Sequence, residues 1–146
     1  MKRRAKTPVS TKIEANKDKI YRISDPIQLA EIFFPAKNAY QKRAAFLAIF
    51  FEIKNGRDQK LETTDHIANT YELSPSSVTK ARSKMSRLGL IRKREGCWIF
   101  STVFTRTLNI LAEKVQTYKS PTHTGEERER ELLFVQIAKG INDPEY

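Results

Sequence analysis

The segment LSPSSVTKARSKMSRLGLIRKREGCWIF, residues 73–100, decides the fold class. Ser74 can cap a helix that has Pro75 at its first position, and Gly89 can end that helix. The apolar side chains between them recur at helical spacing, and these are Val78, Ala81, Met85 and Leu88. The segment therefore predicts a helix over 75–88 that buries one face and exposes the other.

A short basic hairpin is predicted directly after this helix, over residues 90–100. LIRKRE and CWIFS are rich in β-forming residues and meet at Glu95-Gly96, a pair typical of a tight turn. Arg92, Lys93 and Arg94 follow one another in its first strand. Since successive side chains of a strand point to opposite faces, at most two of the three can face one partner.

Three helices are predicted upstream. The first, over 26–34, should bury one face, which carries Ile27, Ala30, Phe33 and Phe34. The second, over 37–54, has an apolar middle on all sides and should form the centre of the core. The third, over 63–71, begins at Thr63 or Thr64 and should turn three side chains inward, namely Ile67, Ala68 and Tyr71. Leu61 either begins a short strand or anchors the turn before this third helix.

Two helices are predicted downstream of the hairpin. The first, over 103–118, has an apolar stripe close to a heptad seam, formed by Phe104, Leu108, Leu111, Val115 and Tyr118. After a linker, residues 126–139 should form a helix with acidic first turns and Gly140 behind it. The expected organisation is a flexible basic arm over 1–19, a main domain over 20–119, and a linker with an acidic helix over 120–146.

Charge is the first functional signal. The chain has 146 residues and a formal net charge of +10, which favours polyanionic partners, above all nucleic acid. Residues 1–94 hold 21 Lys and Arg against 9 Asp and Glu, whereas residues 121–146 hold 3 against 6. The partner-facing part should therefore lie in the first two thirds of the chain.

The sequence offers little for catalysis or for metal binding. Its two histidines, His66 and His123, have no zinc-protease or triad spacing, and its single cysteine, Cys97, has no CxxC partner. No glycine-rich phosphate loop occurs. We therefore expect a protein that is not an enzyme and has no cofactor, no metal and no evident small-molecule ligand.

The expected location is the cytoplasm, in association with the nucleoid. The basic N-terminus lacks the apolar stretch of a signal peptide. The longest apolar run, residues 44–51, is too short to span a bilayer. We therefore expect no membrane partner.

The order of these elements resembles a family. TTDHIANTYELSPSSVTKARSKMSRLGLIRKREGCWIF, residues 63–100, is similar to the winged helix-turn-helix DNA-binding proteins, of the type that includes the MarR and ArsR repressors. The positions that carry the resemblance are Ile67, Ala68, Leu73, Ser74, Val78, Leu88, Gly89, Leu90 and Ile91. Glu72 stands where the family's turn often has glycine, so either it adopts a left-handed conformation or the turn differs. The resemblance implies a mainly helical fold with a small β-hairpin wing and extra N- and C-terminal helices.

The resemblance also implies that helix 75–88 reads the major groove of double-stranded DNA. With Val78 and Met85 turned inward, the opposite side should carry Ser76, Thr79, Lys80, Ser83 and Arg87, with Ser77 and Lys84 on its flank. No acidic residue lies between Ser74 and Arg94, although a helix built only for solubility would mix in Glu. The alternative is that these are ordinary surface residues of a packing helix.

Further basic residues are candidates for contacts to the DNA backbone. In the wing these are Arg92, Lys93 and Arg94; elsewhere they are Lys2, Arg3, Arg4, Lys42 and Arg43. The arm over 1–19 touches phosphates or is simply solvated. Arg82, beside the buried stripe, fits either a phosphate contact or a local salt bridge. Trp98 fits packing better than stacking on a base.

The leading hypothesis is a sequence-specific transcriptional regulator, a repressor, that acts as a homodimer. Helices 26–34, 103–118 and 131–139 offer apolar surface for pairing, unless they fold back on their own domain. The alternative is a DNA-binding replication or plasmid-maintenance protein that recognises origin repeats. A winged-helix protein–protein adaptor is a weaker alternative, and RNA binding also stays open.

Overall fold

A computed structural model of the chain describes residues 11–140. This part is mainly helical with one two-stranded antiparallel sheet, in agreement with the prediction of a mainly helical chain with a small β-hairpin. Its elements are α1 (Lys17–Tyr21), α2 (Pro26–Phe33), α3 (Tyr40–Asn55), a 3-10 turn (Arg57–Gln59), α4 (Ile67–Thr70), α5 (Pro75–Leu88), β1 (Ile91–Arg94), β2 (Cys97–Phe100), α6 (Val103–Tyr118) and α7 (Gly125–Ala138).

The chain divides into two compact units, Met1–Thr107 and Leu108–Tyr146. The division falls inside α6, whereas the sequence placed a boundary at 119–120. None of the helices in residues 11–140 is both long and apolar enough to cross a membrane.

Helix α3 forms the centre of the first unit, as its apolar middle predicted. Its buried side chains are Ala45, Phe46, Ala48, Ile49 and Ile53. The Phe46 ring stacks on Phe33 of α2, with 5.3 Å between the ring centroids. Helix α5 packs on α3 with the predicted stripe, since Val78, Ala81 and Met85 are buried.

The ends of α5 are set by local chemistry that the sequence shows. The Ser74 Oγ accepts a hydrogen bond from the Ser77 N–H at 3.1 Å, which satisfies one amide of the first turn. At the other end, Gly89 has φ +81°, and a Cβ there would lie 2.8 Å from the side chain of Val103. Glycine is therefore required for conformation and for space.

The sequence predicts a flexible basic arm over 1–19, of which the structure describes residues 11–19. Lys17–Tyr21 form the short helix α1, capped by the Asn16 side chain, which accepts from the amides of Asp18 and Lys19. The Glu14 N–H donates to the Ile32 carbonyl at 2.8 Å and so holds this segment on α2.

Two inward-facing assignments were wrong. Ile27 lies on the exposed side of α2 although the sequence placed it on the buried face. Tyr71 is 40% exposed, and its hydroxyl donates to the Glu52 carboxylate at 3.0 Å. Partial burial and the adjacent Glu52 together raise the pKa of Tyr71. Tyr71 therefore ties α4 to α3 at the surface and does not fill the core.

The helix predicted over 63–71 is shorter than expected. Only Ile67–Thr70 are helical, because Thr63 instead accepts a hydrogen bond from the Asp65 N–H at 3.1 Å and shapes a turn. Ile67 is fully buried, as predicted.

The hairpin forms as the sequence predicts. Ile91 pairs with Phe100 and Arg94 with Cys97, and the turn places Glu95 at φ +51° and Gly96 at φ +79°. Positive φ at both central residues is the geometry that suits the twist of a two-residue hairpin. Leu61 adds a bridge to Trp98: its N–H donates to the Trp98 carbonyl at 3.0 Å and its carbonyl accepts from the Trp98 N–H at 2.7 Å.

The second unit contains most of α6 and all of α7. Thr124 caps α7, since its hydroxyl oxygen accepts from the Glu127 N–H at 3.1 Å. Neither helix has a buried residue.

Candidate nucleic-acid interface

The outer face of α5 carries most of the predicted groove-facing residues. Ser76, Thr79, Lys80 and Arg87 are exposed, and Ser83 is half-buried. Ser86 is exposed on the same face, three residues after Ser83, and the sequence analysis did not single it out. The face therefore presents hydroxyl groups flanked by two cations, the mixture that can donate to and accept from base edges.

Ser77 belongs to the structural side of the helix and not to this face. It is buried, its N–H donates to the Ser74 Oγ, and its own Oγ accepts from the Ser74 hydroxyl at 2.8 Å. Its assignment as a DNA contact was wrong because both of its polar groups complete the cap of α5.

Lys84 was also assigned wrongly. It is 5% exposed, its Nζ donates to the carbonyls of Phe33 and Lys12, and it lies 4.7 Å from the centroid of the Phe34 ring. Burial, and secondarily the charge of Lys42, lowers the pKa of Lys84. Lys84 joins α5 to the end of α2 and to the N-terminal segment, so its charge is not available at the surface.

A pattern in the sequence could have revealed both errors. Ser77, Ala81, Lys84 and Leu88 are spaced i, i+4, i+7 and i+11, which places them on one side of a helix. Because Ala81 is on the buried stripe, Ser77 and Lys84 border the core. Nothing local identifies the carbonyl groups that Lys84 meets, since these come from residues about 50 and 70 positions upstream.

The hairpin divides its three cations between two faces. Lys93 is directly opposite Trp98 in the register, and its Nζ lies 5.7 Å from the centroid of the indole. Arg92 and Arg94 pair with Ile99 and Cys97, which places them together on the other face of the ribbon. All three are exposed. The structure thus agrees with the expectation that at most two of them can face one partner.

Arg82 connects α5 to the hairpin. Its Nη1 donates to the Oγ1 of the buried Thr64 at 2.7 Å, and its Cζ lies 5.4 Å from the centroid of the Trp98 ring. Of the two possibilities that the sequence left for Arg82, the local salt bridge is not formed within the described residues, where its partners are a hydroxyl and an aromatic ring. The phosphate contact stays a prediction. Trp98 packs against the core, as predicted.

The other candidates for contacts to the DNA backbone lie outside α5 and the hairpin. Arg43 donates through Nε to the Phe34 carbonyl at 2.8 Å and through Nη2 to the Ala36 carbonyl, so it caps the end of α2. The prediction that Arg43 contacts the DNA backbone was therefore wrong, because its guanidinium group is bonded within the protein. Lys42 is half-buried. Lys2, Arg3 and Arg4 lie outside the described residues.

Among the described residues, no ion pair joins an acidic side chain to a cation of α5 or β1. Within residues 11–140 the ion pairs join Lys19 to Glu14, His66 to Glu52 and Arg128 to Glu131. No such pair in that range involves the exposed cations of α5 and β1, which are Lys80, Arg87, Arg92, Lys93 and Arg94. Their positive charge is therefore not neutralised locally, and it is held on elements fixed to the core.

No family model, curated protein or solved structure matches this chain. The functional interpretation therefore depends on the chemistry of α5 and the hairpin.

Proposed function

We propose that the chain is a sequence-specific double-stranded DNA-binding transcriptional regulator of the winged helix-turn-helix type, acting as a repressor. The observation that carries the proposal is the surface formed by α5 and β1. It combines hydroxyl groups and exposed cations, it contains no acidic residue, and its cations form no ion pair with any other residue in 11–140. A helix that served only to pack or to stay soluble would gain from acidic residues four positions from its lysines.

The order of elements supports this type of fold. A buried helix, a short helix, a tight turn, a second helix and a two-stranded hairpin follow one another as α3, α4, α5, β1 and β2. Glu72, in the turn, has φ +55°, so it adopts the left-handed conformation that the family's glycine would favour. The bridge from Leu61 to Trp98 widens the hairpin by one paired residue.

In the proposed complex, α5 enters the major groove. Ser76, Thr79, Lys80 and Ser83 meet base edges, because the N-terminal part of such a helix lies deepest in the groove. Arg87, near the C-terminal end, reaches a phosphate. Hydroxyl groups accept and donate, and Lys80 suits the acceptors of guanine.

The hairpin supplies contacts to phosphates in this proposal. Its turn is only two residues long, so it follows the backbone and does not insert deeply into a groove. Arg92 and Arg94 share one face of the ribbon and can engage adjacent phosphates, whereas Lys93 faces the side of Trp98. These contacts add affinity for all sequences and make it sensitive to salt.

The test is selection from a randomised duplex DNA pool at two salt concentrations, followed by sequencing. We expect enrichment of a defined site. Lys80→Ala and Ser83→Ala should then change the preferred bases, whereas Arg92→Ala should weaken binding to all sequences alike. Lys139→Ala removes the same charge from an exposed position in the acidic last part of the chain and serves as the matched control, with no expected effect.

Three outcomes would contradict or redirect the proposal. Binding without enrichment, lost steeply with salt, would indicate a nonspecific architectural protein. Enrichment of direct repeats would favour a replication protein over a regulator. No binding to duplex DNA at either salt concentration would overturn the proposal.

A further inference from the structure

The second unit exposes an apolar stripe on α6. Leu108, Leu111, Val115 and Tyr118 are spaced 3, 4 and 3 residues apart, which places them on one side of the helix. Their exposed fractions run from 42% to 83%. Soluble proteins seldom leave so many large apolar side chains contiguous and open to water, except where a partner binds.

Helix α7 has a different apolar pattern. Its second half carries Leu132, Leu133, Phe134, Val135 and Ile137, each at least 50% exposed. At 100° per residue these five side chains surround the helix and do not share one face. A helix that is apolar on all sides is stable only when it is buried by several neighbours.

The two helices do not cover each other within the chain. Both lie in the second unit from Leu108 onward, and the linker 119–124 is long enough for an antiparallel helical pair. Nevertheless, no side chain of either helix is buried, and α6 and α7 make no substantial packing contact.

Charge indicates which surfaces pair. The positions that flank the α6 stripe carry Lys114 and Lys119 and no acidic residue, so two α6 stripes placed together would bring like charges side by side. The first half of α7, in contrast, carries Glu126, Glu127, Glu129 and Glu131 against Arg128 and Arg130. The acidic α7 therefore complements the basic margins of α6 better than a second α6 does.

We propose that α7 of one copy of this chain packs on the α6 stripe of a second copy, and that the exchange is reciprocal. The result is a homodimer with two identical α6–α7 contacts related by a two-fold axis. In the centre of this dimer the two α7 helices would lie side by side, and each would cover the apolar side chains of the other that α6 does not reach. The proposal concerns the second unit alone and is independent of DNA binding.

The first test is the mass of the full chain in solution, measured by light scattering or sedimentation over a range of concentrations without DNA. We expect a dimer. Leu111→Glu and Phe134→Glu each place a charge in the contact and should weaken dimerisation on the order of 100-fold. Asn109→Glu adds the same charge on the opposite side of α6 and should leave the dimer intact.

These variants should keep the first unit folded, because the substituted side chains are exposed. Far-ultraviolet circular dichroism and the emission of Trp98, the only tryptophan, check this directly. A chain that is monomeric at all concentrations would overturn the proposal, and so would a dimer that Leu111→Glu and Phe134→Glu do not weaken.

The second test distinguishes exchange from other pairings by disulfide cross-linking. In a Cys97→Ser background, one chain carries Leu111→Cys and a second chain of different length carries Leu133→Cys. We expect oxidation of the mixture to give a cross-linked species that contains one chain of each kind. A species formed by two Leu111→Cys chains alone would indicate α6–α6 pairing and would contradict the exchange.

Discussion

The Cζ of Arg82 lies 5.4 Å from the centroid of the Trp98 ring, so the helix that would read bases and the hairpin that would grip the backbone share a cation–π contact. The same guanidinium donates to the buried hydroxyl of Thr64. Arg82 thus links α5, β2 and the turn before α4. The relative position of the two proposed DNA-contacting elements depends on this residue.

Removal of the Arg82 side chain should destabilise the first unit. We expect Arg82→Ala to lower the free energy of unfolding by about 1–3 kcal/mol, because the cation–π contact and a hydrogen bond to a buried group are lost together. Urea unfolding followed by circular dichroism measures this. Arg87→Ala, which removes an exposed arginine from the same helix, should change stability by less than about 0.5 kcal/mol. Equal effects of the two variants would disprove the linking role.

The two faces of the hairpin should contribute unequally to DNA binding. Arg92 and Arg94 share one face of the ribbon, whereas Lys93 lies opposite Trp98 on the other face. Because the proposed phosphate contacts are made from the face of the two arginines, we expect Arg92→Ala to weaken binding to duplex DNA clearly more than Lys93→Ala does. Titrations of one duplex with the two variants at the same salt concentration measure this. An equal or larger loss for Lys93→Ala would contradict the assignment of the phosphate contacts to the Arg92 face.

The salt dependence of binding should separate the hairpin from α5. Arg92→Ala and Arg94→Ala should each reduce the slope of log K against log salt by about 1, because each removes one phosphate contact. Ser83→Ala, in contrast, should leave the slope unchanged. Titrations of one selected duplex at several salt concentrations give these slopes. A reduced slope for Ser83→Ala would mean that this helix face contacts the backbone and not the bases.

Glu72 is held at φ +55°, a conformation that costs a side-chain-bearing residue free energy. Glu72→Gly should therefore stabilise the protein by about 1 kcal/mol, measured as an upward shift of the thermal midpoint. Glu72→Ala removes the same carboxylate but keeps the strain, so it should change the midpoint little. A stabilisation by Ala as large as that by Gly would show that charge, and not backbone strain, is the cause.

Burial of Lys84 should make stability depend on alkaline pH. Its pKa is lowered in the folded state from the ordinary lysine value of 10.5, first by desolvation and then by the charge of Lys42. Between the folded and unfolded pKa values the unfolded chain binds more protons, so stability rises as the pH increases towards 10.5. We expect wild type to gain stability relative to Lys84→Met as the pH rises from neutral towards 10.5. A constant difference in unfolding free energy across that window would contradict the lowered pKa.

The fold of the first unit is largely readable from local signals. Ser74 and Gly89 delimit α5 because a cap hydroxyl and a left-handed glycine act on their own turn. The hairpin follows from Glu95-Gly96 for the same reason, and the core position of α3 follows from its apolar middle. The exposed face of α5 follows from helical geometry once Val78 and Met85 are inside.

The errors at Lys84, Arg43 and Tyr71 occur where separate elements meet, whereas the error at Ser77 is local, because its partner Ser74 is three residues away. Lys84 was assigned to the DNA-facing flank because a lysine beside a core stripe ordinarily extends to water. The carbonyls of Phe33 and Lys12 satisfy it instead, and only the tertiary structure brings them there. Arg43, bonded to Phe34 and Ala36, and Tyr71, bonded to Glu52, were misjudged for the same reason.

By itself, the sequence determined the hairpin and most of the helices, the buried stripe of α5 and the acid-free stretch from Ser74 to Arg94. These depend on periodicity and on chemistry within a few residues. The tertiary structure decided which of the polar side chains remain available to a partner: Lys84 and Ser77 are buried, Arg82 is bound to Thr64 and Trp98, and Lys80 and Arg92 are exposed. Whether a polar side chain can contact a partner molecule depends mainly on packing between elements. Once another element supplies its hydrogen-bond partner inside the protein, the side chain is no longer available at the surface.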